Sequence, residues 1–247
     1  MENKFNKSID PQEVAKFSKI ADEWWDPTGK FRPLHQINPL RINYIKQQIM
    51  QHFQQGNDTL FPLNDLNIID IGCGGGILAE PIARLGANLT AIDASEQNIK
   101  VAKLHAEKMQ LNIDYQAISI EQLASTGAKF DVVLNMEVIE HVADIDSFMQ
   151  ACCSVLKPGG LMFIATLNRT VKSYMLAIVG AEYILNWLPR GTHSWKKFLN
   201  PSEIAKLLRK HQLSILELKG MEYHLLKGHW YLSDNLDVNY LLTASKK

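Results

Sequence analysis

Asp70-Ile71-Gly72-Cys73-Gly74-Gly75-Gly76 decides the reading of this chain. The run follows a short apolar stretch, Asn67–Ile71, and precedes an amphipathic one, Ile77–Leu85. It therefore reads as strand, glycine turn and helix start. Glycine permits the sharp turn and lets another group approach the backbone with no side chain in the way. Asp93 ends the next apolar run, 21 residues after Gly72. A carboxylate placed there can accept both hydroxyls of a ribose. Loop, helix and spaced acid together point to a ligand that contains a nucleoside. Counted from Gly74, the pattern Gly74-x-Gly76-x-x-Ala79 also passes as a dinucleotide fingerprint in its alanine form, so spacing does not separate the two ligand classes. Asp70 does. A carboxylate at the end of the first strand suits the cationic methionine end of S-adenosylmethionine and would repel a pyrophosphate.

Outward from the loop, apolar runs at Leu89–Asp93, Ile113–Ile118, Phe130–Met136 and Leu161–Leu167 alternate with helical stretches at Ser95–Gln110 and Asp144–Leu156. Continuous apolar strands are buried on both faces, and alternation with helices gives a parallel sheet. Lys157-Pro158-Gly159-Gly160 is the turn into the fifth strand. Ser214–Leu218 and Val238–Ala244 add two strands with no clear helix between them, which requires an antiparallel closure. The expected fold is α/β and doubly wound, with a mostly parallel seven-stranded sheet. It is read as one domain: a helical cap (1–60), a cofactor-binding core (61–167), an insertion over the acceptor (168–200), and a C-terminal helix and strands (201–247).

Within the cap, Asp10-Pro11-Gln12-Glu13 predicts a helix start with a capping-box-like arrangement. Val14, Phe17, Ile20, Ala21 and Trp24 follow at helical spacing, up to the turn Asp26-Pro27-Thr28-Gly29. Asn38-Pro39 predicts the start of a second helix, with Ile42, Ile45, Ile49 and Phe53 on one face.

Composition narrows the function classes. The chain has 247 residues, 46% hydrophobic and 21% charged, which is ordinary globular usage. Its 26 basic and 26 acidic residues cancel, so no whole-molecule field favours nucleic acid. Cys73, Cys152 and Cys153 show no framework spacing and read as small core residues of a reducing compartment. Met1–Asp10 is polar and predicts no secretory leader, and no run reaches the roughly 20 apolar residues of a membrane span. The expected location is cytoplasmic, or peripheral at the inner face of the membrane.

Residues 66–167 resemble the class I methyltransferases, in which strand four, led by Phe130-Asp131-Val132-Val133, ends at Met136 beside the cofactor. Ser119 departs from that pattern, because the family often has an acid there near adenine. A narrower resemblance runs almost end to end. Trp24-Trp25-Asp26, Pro33-Leu34-His35, Asn38-Pro39-Leu40-Arg41, the run Gly72 to Glu80, Thr166-Leu167-Asn168-Arg169, Val179 to Leu185, Gly191-Thr192-His193 and Asp237-Val238-Asn239-Tyr240 are similar to the ubiquinone biosynthesis O-methyltransferases. Tyr223-His224-Leu225 departs, standing where relatives tend to have Tyr-Asn-Pro. The resemblance implies S-adenosylmethionine contacts at Arg41, Gly72, Gly74, Asp93 and Met136. It also implies methyl transfer to a ring hydroxyl of polyprenylated catechol and demethylubiquinol intermediates, contact with membrane lipid, and assembly with other enzymes of ubiquinone biosynthesis.

A phenol must lose its proton to become a good nucleophile, so a base or a metal is needed. On a helical turn Glu137, Glu140 and His141 would share one face, and two carboxylates suit Mg²⁺. The alternatives are that these residues only pack and position the loop, or that His141 is the base, its pKa lying near physiological pH. Between Asn168 and Pro201 the chain leaves the α/β rhythm. Tyr174–Leu188 carries a single charge, Glu182, with aromatic residues near its ends and basic flanks at Arg169, Lys172, Arg190, Lys196 and Lys197. It reads either as an interfacial segment spanning Lys172–Leu188 or as a buried lid over the acceptor. Two other functions stay open: a class I methyltransferase of a soluble small molecule, and a cofactor-binding scaffold without turnover.

Overall fold

Five parallel strands form the half of the sheet that the apolar runs predict. β1 (Asn67–Ile71) pairs with β2 (Asn88–Ile92) on one side and β4 (Phe130–Met136) on the other. β3 (Asp114–Gln116) lies outside β2, and β5 (Leu156–Leu167) lies outside β4. The β4–β5 register jumps from Phe130↔Leu156 to Val132↔Leu161, so Lys157–Gly160 loops out where the turn was expected. The computed structural model describes residues 6–55, 60–176, 195–224 and 227–247.

The other half of the sheet is antiparallel, and it holds one strand more than the sequence predicts. β8 (Asn239–Lys246) pairs with β5 and with β6 (Leu213–His224), and β7 (His229–Ser233) pairs with β6 at the edge. The sheet is therefore eight-stranded, in the order β3-β2-β1-β4-β5-β8-β6-β7. β7 escapes a reading by apolar runs because its residues are only half-buried and mostly polar or aromatic. Among the described residues no helix is long and apolar enough to cross a membrane.

Helices cover both faces. α2 (Arg32–His52), α3 (Ala79–Arg84) and α4 (Glu96–Lys108) close one core, where Ile45, Ile49, Ile82 and Ala102 meet Ile68, Leu134 and Phe163. α5 (Ile120–Ser125), α6 (Ile145–Val155) and α8 (Pro201–Lys210) close the other over Ile69, Val133 and Ile164. α5 was not foreseen, and a full capping box, Ser119 with Gln122, starts it. α7 (Val171–Ser173) follows β5 as a single turn, capped by Thr170.

The cap differs from its expectation in three ways. α1 (Pro11–Ser18) is capped by Asp10, whose side chain accepts from the amides of Gln12 and Glu13, but Glu13 does not complete a box. α1 also stops at Ser18, whose hydroxyl bonds back to the Val14 carbonyl and to Ser95, and a single 3₁₀ turn (Ala21–Glu23) follows. α2 begins at Arg32, seven residues before Pro39, with Pro33 in its first turn. An interior proline costs about 3 kcal/mol. Burial of Ile37, Asn38 and Arg41 around it offsets that cost, and the Asn38 amide donates to the Ile77 carbonyl at 2.8 Å.

Truncation on the buried face of α2 tests this packing. Ile45 is fully buried, so Ile45→Ala should lower unfolding stability by about 2–5 kcal/mol, read from the denaturant midpoint. A loss under about 1 kcal/mol would mean that α2 does not close the core as described.

Candidate functional site

β1 is flanked by β2 and β4, and the chain winds away from it in opposite directions on the two sides, so a crevice opens at the carboxyl ends of these strands. The glycine loop fills the floor of that crevice. The amides of Gly72 and Cys73 both donate to the Ile92 carbonyl, at 2.8 and 3.0 Å. The Gly74 amide donates to Asp93 Oδ2 at 2.9 Å. Gly72 and Gly74 have φ of +69° and +53°, a region that side chains disfavour. A Cβ on Gly74 would stand 2.3 Å from the Trp24 ring. The group that exploits this bare backbone is thus the cap's own tryptophan, where the sequence suggested a ligand.

Trp24 stacks on Phe31 with centroids 3.6 Å apart, and its Nε1 donates to Asn98 on α4. Trp25 stacks on His105 and donates to the Gly75 carbonyl at 2.9 Å. The cap is thereby latched over the loop, leaving a cleft between α1 and the strand ends. Gly72, Gly74 and Asp93 line its floor, Ile118, Ser119 and Ile120 one flank, and Val138 and His141 another. Phe17 and Glu13 of α1 form the roof.

Asp93 is the best-anchored acid of the site. It accepts from the Gly74 and Ser95 amides and from Asn98 Nδ2. A carboxylate offers roughly four lone-pair sites. With three engaged, there is room for one ribose hydroxyl where the sequence suggested two. Asp70 is buried at the end of β1, and its Oδ2 has no hydrogen-bond partner among the described residues. Burial first, then the nearby Asp93 charge, push its pKa up to about 8, with Arg41 pulling the other way. Arg41 is buried too. Its Nη2 is paired with Glu137 while its Nε lacks a partner. An unpartnered buried carboxylate and an under-satisfied guanidinium on one side of a glycine loop fit a ligand carrying an ammonium and a carboxylate. Neither side chain lines the cleft directly. Met136 does not line it either: alternation along β4 turns its side chain into the core with Leu134, leaving its backbone at the strand end.

The expected metal trio does not form. Glu137 has φ +57°, so the helical turn starts only at Ile139, and His141 is turned away from Glu137 and Glu140, whose carboxyls remain beside each other. Glu137 goes to Arg41. Glu140 turns inward and accepts from Thr166 Oγ1 at 2.9 Å, and burial followed by the Glu137 charge raises its pKa well above the carboxylate range. His141 meets Glu13. Among the described residues no three His, Cys, Asp or Glu side chains gather as a cation site, and of the expected trio only the two carboxylates stay together.

Comparison with known proteins shows the family and the fold. A family model described as a methyltransferase domain matches residues 45–218. The ubiquinone biosynthesis O-methyltransferase of Parvibaculum lavamentivorans is 54% identical over 239 residues, 97% of this chain and 94% of its own. That of Bartonella bacilliformis is 53% identical over 246 residues, 100% of this chain and 99% of its own. The chain belongs to the ubiquinone biosynthesis O-methyltransferases. Among solved structures, the magnesium protoporphyrin IX methyltransferase of Synechocystis PCC 6803 with bound SAH shares the fold, with a TM-score of 0.65, 18% identity and coverage of 95% of this chain and 100% of that one.

For this S-adenosylmethionine-dependent O-methyltransferase, sequence reasoning missed the roof of the site. Glu13, Phe17 and Asn98 were read as a capping residue, a core position and a plain helix residue. The signal for Glu13 was its place in a first helical turn that Asp10 already caps.

Asp70 gives a pH test. An aspartate in the unfolded chain titrates near 4, whereas Asp70 in the fold titrates at about 8. A raised pKa contributes stability that is fully present below the unfolded value and is lost as pH rises through the folded one. The stability gained by Asp70→Asn in the ligand-free protein should therefore widen from about pH 4 to about pH 8 and then level. The same substitution should weaken S-adenosylmethionine binding by about 1.5–3 kcal/mol. A stability difference independent of pH, in melting curves across this range, would show that Asp70 ionises normally.

Proposed function

We propose that this protein methylates a ring hydroxyl of polyprenylated catechol and demethylubiquinol intermediates. The observation that carries the proposal is 52–54% identity, across nearly the whole chain, to proteins named as ubiquinone biosynthesis O-methyltransferases, together with a cleft that joins the glycine loop to His141. When bound, S-adenosylmethionine supplies an electrophilic methyl group on a sulfonium. Asp93 holds the ribose, Asp70 attracts the ammonium, and Arg41 takes the carboxylate in exchange for Glu137. Gly72 and Gly74 form the floor beneath the cofactor, their bare faces taken by Val138 and Trp24, and the Met136 backbone closes the end of β4. His141 would remove the phenolic proton: the O–H pair stays on oxygen and makes the new O–CH3 bond as the methyl–sulfur bond breaks with its pair kept by sulfur, so that S-adenosylhomocysteine would be the leaving group and the proton would pass through the imidazole to solvent. Phe17, Trp24 and Val138 exclude water, so the oxygen is presented without a hydration shell.

The acceptor's lipid tail requires access from a bilayer. In the proposal, the stretch that begins at Lys172 touches the membrane surface and the acceptor enters from there. Support comes from four exposed apolar side chains around α7: Val171 (76% exposed), Tyr174, Met175 and Leu176. Trp195 is exposed at the same place and meets Tyr174 edge-on at 6.4 Å. Most of the expected segment, including Ile178, Ile184 and Leu185, lies outside the described residues.

Incubation with labelled S-adenosylmethionine and catechols of different tail lengths tests the reaction. Label should appear on the ring oxygen, and His141→Ala should lower kcat by about 10²–10⁴-fold. Label on a nitrogen or carbon acceptor instead would overturn the reading. Sedimentation with anionic vesicles tests the surface. Binding should weaken with salt, and Met175→Ser with Leu176→Ser should reduce methylation of long-tailed acceptors more than of soluble catechols. Equal loss on both acceptors would assign these side chains to folding.

A further inference from the structure

Asn98 stands at the third position of α4, where a longer amide or carboxylate turns back to the N-cap amide, as Gln122 does to Ser119 at the start of α5. The N-cap amide of α4, that of Ser95, is already taken by Asp93 Oδ1 at 2.8 Å. Asn98 turns elsewhere, and only 2% of its surface is exposed. Its Oδ1 accepts from Trp24 Nε1 at 3.0 Å, and its Nδ2 donates to Asp93 Oδ1 at 3.2 Å. Its backbone amide donates to Ser95 Oγ at 3.2 Å, which fixes where the side chain starts.

The oxygen and the NH2 group of an asparagine amide have nearly the same shape, so packing does not decide which way it faces. Its two partners do. An indole N–H only donates and a carboxylate only accepts, so Trp24 requires the oxygen and Asp93 requires the NH2 group. Trp24 is itself fixed by its stack on Phe31 and by the bare face of Gly74, where a Cβ would stand 2.3 Å from its ring. The Gly74 amide donates to Asp93 Oδ2 at 2.9 Å. A ring of four residues thereby closes: Trp24 of the cap, Asn98 of α4, Asp93 after β2 and Gly74 after β1. Desolvation raises the Asp93 pKa, and the hydrogen bonds from Ser95, Gly74 and Asn98 oppose that rise, so the contacts that orient the carboxylate also favour its ionised form. With Oδ1 taken by Ser95 and Asn98, the remaining acceptor capacity is on Oδ2, in the cleft that Asp93 lines.

We propose that Trp24 and Asn98 are positioning residues for the Asp93 carboxylate, and that through it they set how strongly the protein recognises the ribose of its methyl donor. The proposal rests on the reading of Asp93 as the ribose acid. Asn98 acts through its NH2 group on Oδ1, which leaves Oδ2 for a hydroxyl. Trp24 acts one step further back, by holding the Asn98 oxygen. Without the indole N–H, Asn98 is free to turn that oxygen towards Asp93, where it repels the carboxylate instead of donating to it. The cap is then more than a cover, because the orientation of its indole is felt at the sugar.

The test is calorimetry on the full-length protein with S-adenosylhomocysteine and with its 2′,3′-dideoxy counterpart, which differs only in the two ribose hydroxyls. The quantity read is the ratio of the two Kd values, in which a loss of packing acts on both ligands alike and cancels. The wild type should favour the hydroxylated ligand by about 10-fold or more, as a hydrogen bond to a charged group gives. Asn98→Ala should cut that preference about 5-fold or more, and Trp24→Phe, which removes the indole N–H, about 3-fold or more. In an Asn98→Ala background Trp24→Phe should leave the preference where it is. Kd values that rise equally for both ligands in Asn98→Ala would make Asn98 a folding residue and overturn the proposal, as would a preference that does not fall. A further fall from Trp24→Phe in the Asn98→Ala background would show that Trp24 does not act through Asn98, and would overturn it too. No preference in the wild type would overturn the ribose reading of Asp93 itself, and the proposal with it. Should Asn98→Ala melt early, Trp24→Phe carries the test, and an undiminished preference in that variant would overturn the proposal.

Discussion

The Gly74 amide donates to the carboxylate of Asp93, and much of the molecule follows from that contact. It joins the turn after β1 to the end of β2, beside the two amides that Ile92 already accepts, and so pins the loop into the crevice where the sheet changes direction. A pinned loop presents a fixed bare surface at Gly74 and Gly75, and Trp24 seats on it. Trp24 in turn fixes the 3₁₀ turn and α1, and α1 carries Phe17 and Glu13 to His141. The acid expected to serve a ribose thus first organises the protein. Its remaining acceptor capacity is what a ligand can use.

Charge is distributed around the loop in a way that favours a cation. Asp70 is buried and Asp93 half-buried, and desolvation pushes both toward their neutral forms, Asp70 further by its neighbour. Arg41 is the cation that opposes the rise at Asp70, and it is shared with Glu137. A ligand whose positive centre approaches Asp70 and whose carboxylate replaces Glu137 on Arg41 relieves both situations together. A pyrophosphate would worsen the first, which is the physical content of the choice between a methyl donor and a dinucleotide.

The parallel half of the sheet was legible because its central strands β1, β4 and β5 are buried on both faces and read as largely apolar runs, whereas β3 at the edge has only Tyr115 buried. β7 and α5 were not: β7 is half-exposed, and α5 is six residues long with only Ile120 and Leu123 buried. Asp70, Asp93 and the glycines were legible from spacing alone. The geometry of Glu137, Glu140 and His141 was not, because a positive φ at a glutamate leaves no mark in a pattern and turns His141 away from the two carboxylates. Pro39 misled in the opposite sense, since tertiary burial carried α2 through a residue that ordinarily starts or breaks a helix.

The roof of the cleft was hidden for a related reason. A core residue announces itself by periodicity, but α1 is held mainly by polar contacts whose partners are far away in sequence. Its own apolar cluster contains only Ala21, Trp24, Phe31 and Ile77 as fully buried members, against several times that number on each face of the sheet. What fixes the cap instead is a set of single bonds: the Ser8 amide to Glu121, Trp24 to Asn98, Trp25 to the Gly75 carbonyl, and Lys197 to Asp10 and Glu13. Each contributes about 0.5–1.5 kcal/mol net. Their sum, about 2.5–7.5 kcal/mol, equals only one or two large-to-small changes in a sheet face, each about 2–5 kcal/mol. A roof held this way can part from the loop without unfolding the sheet.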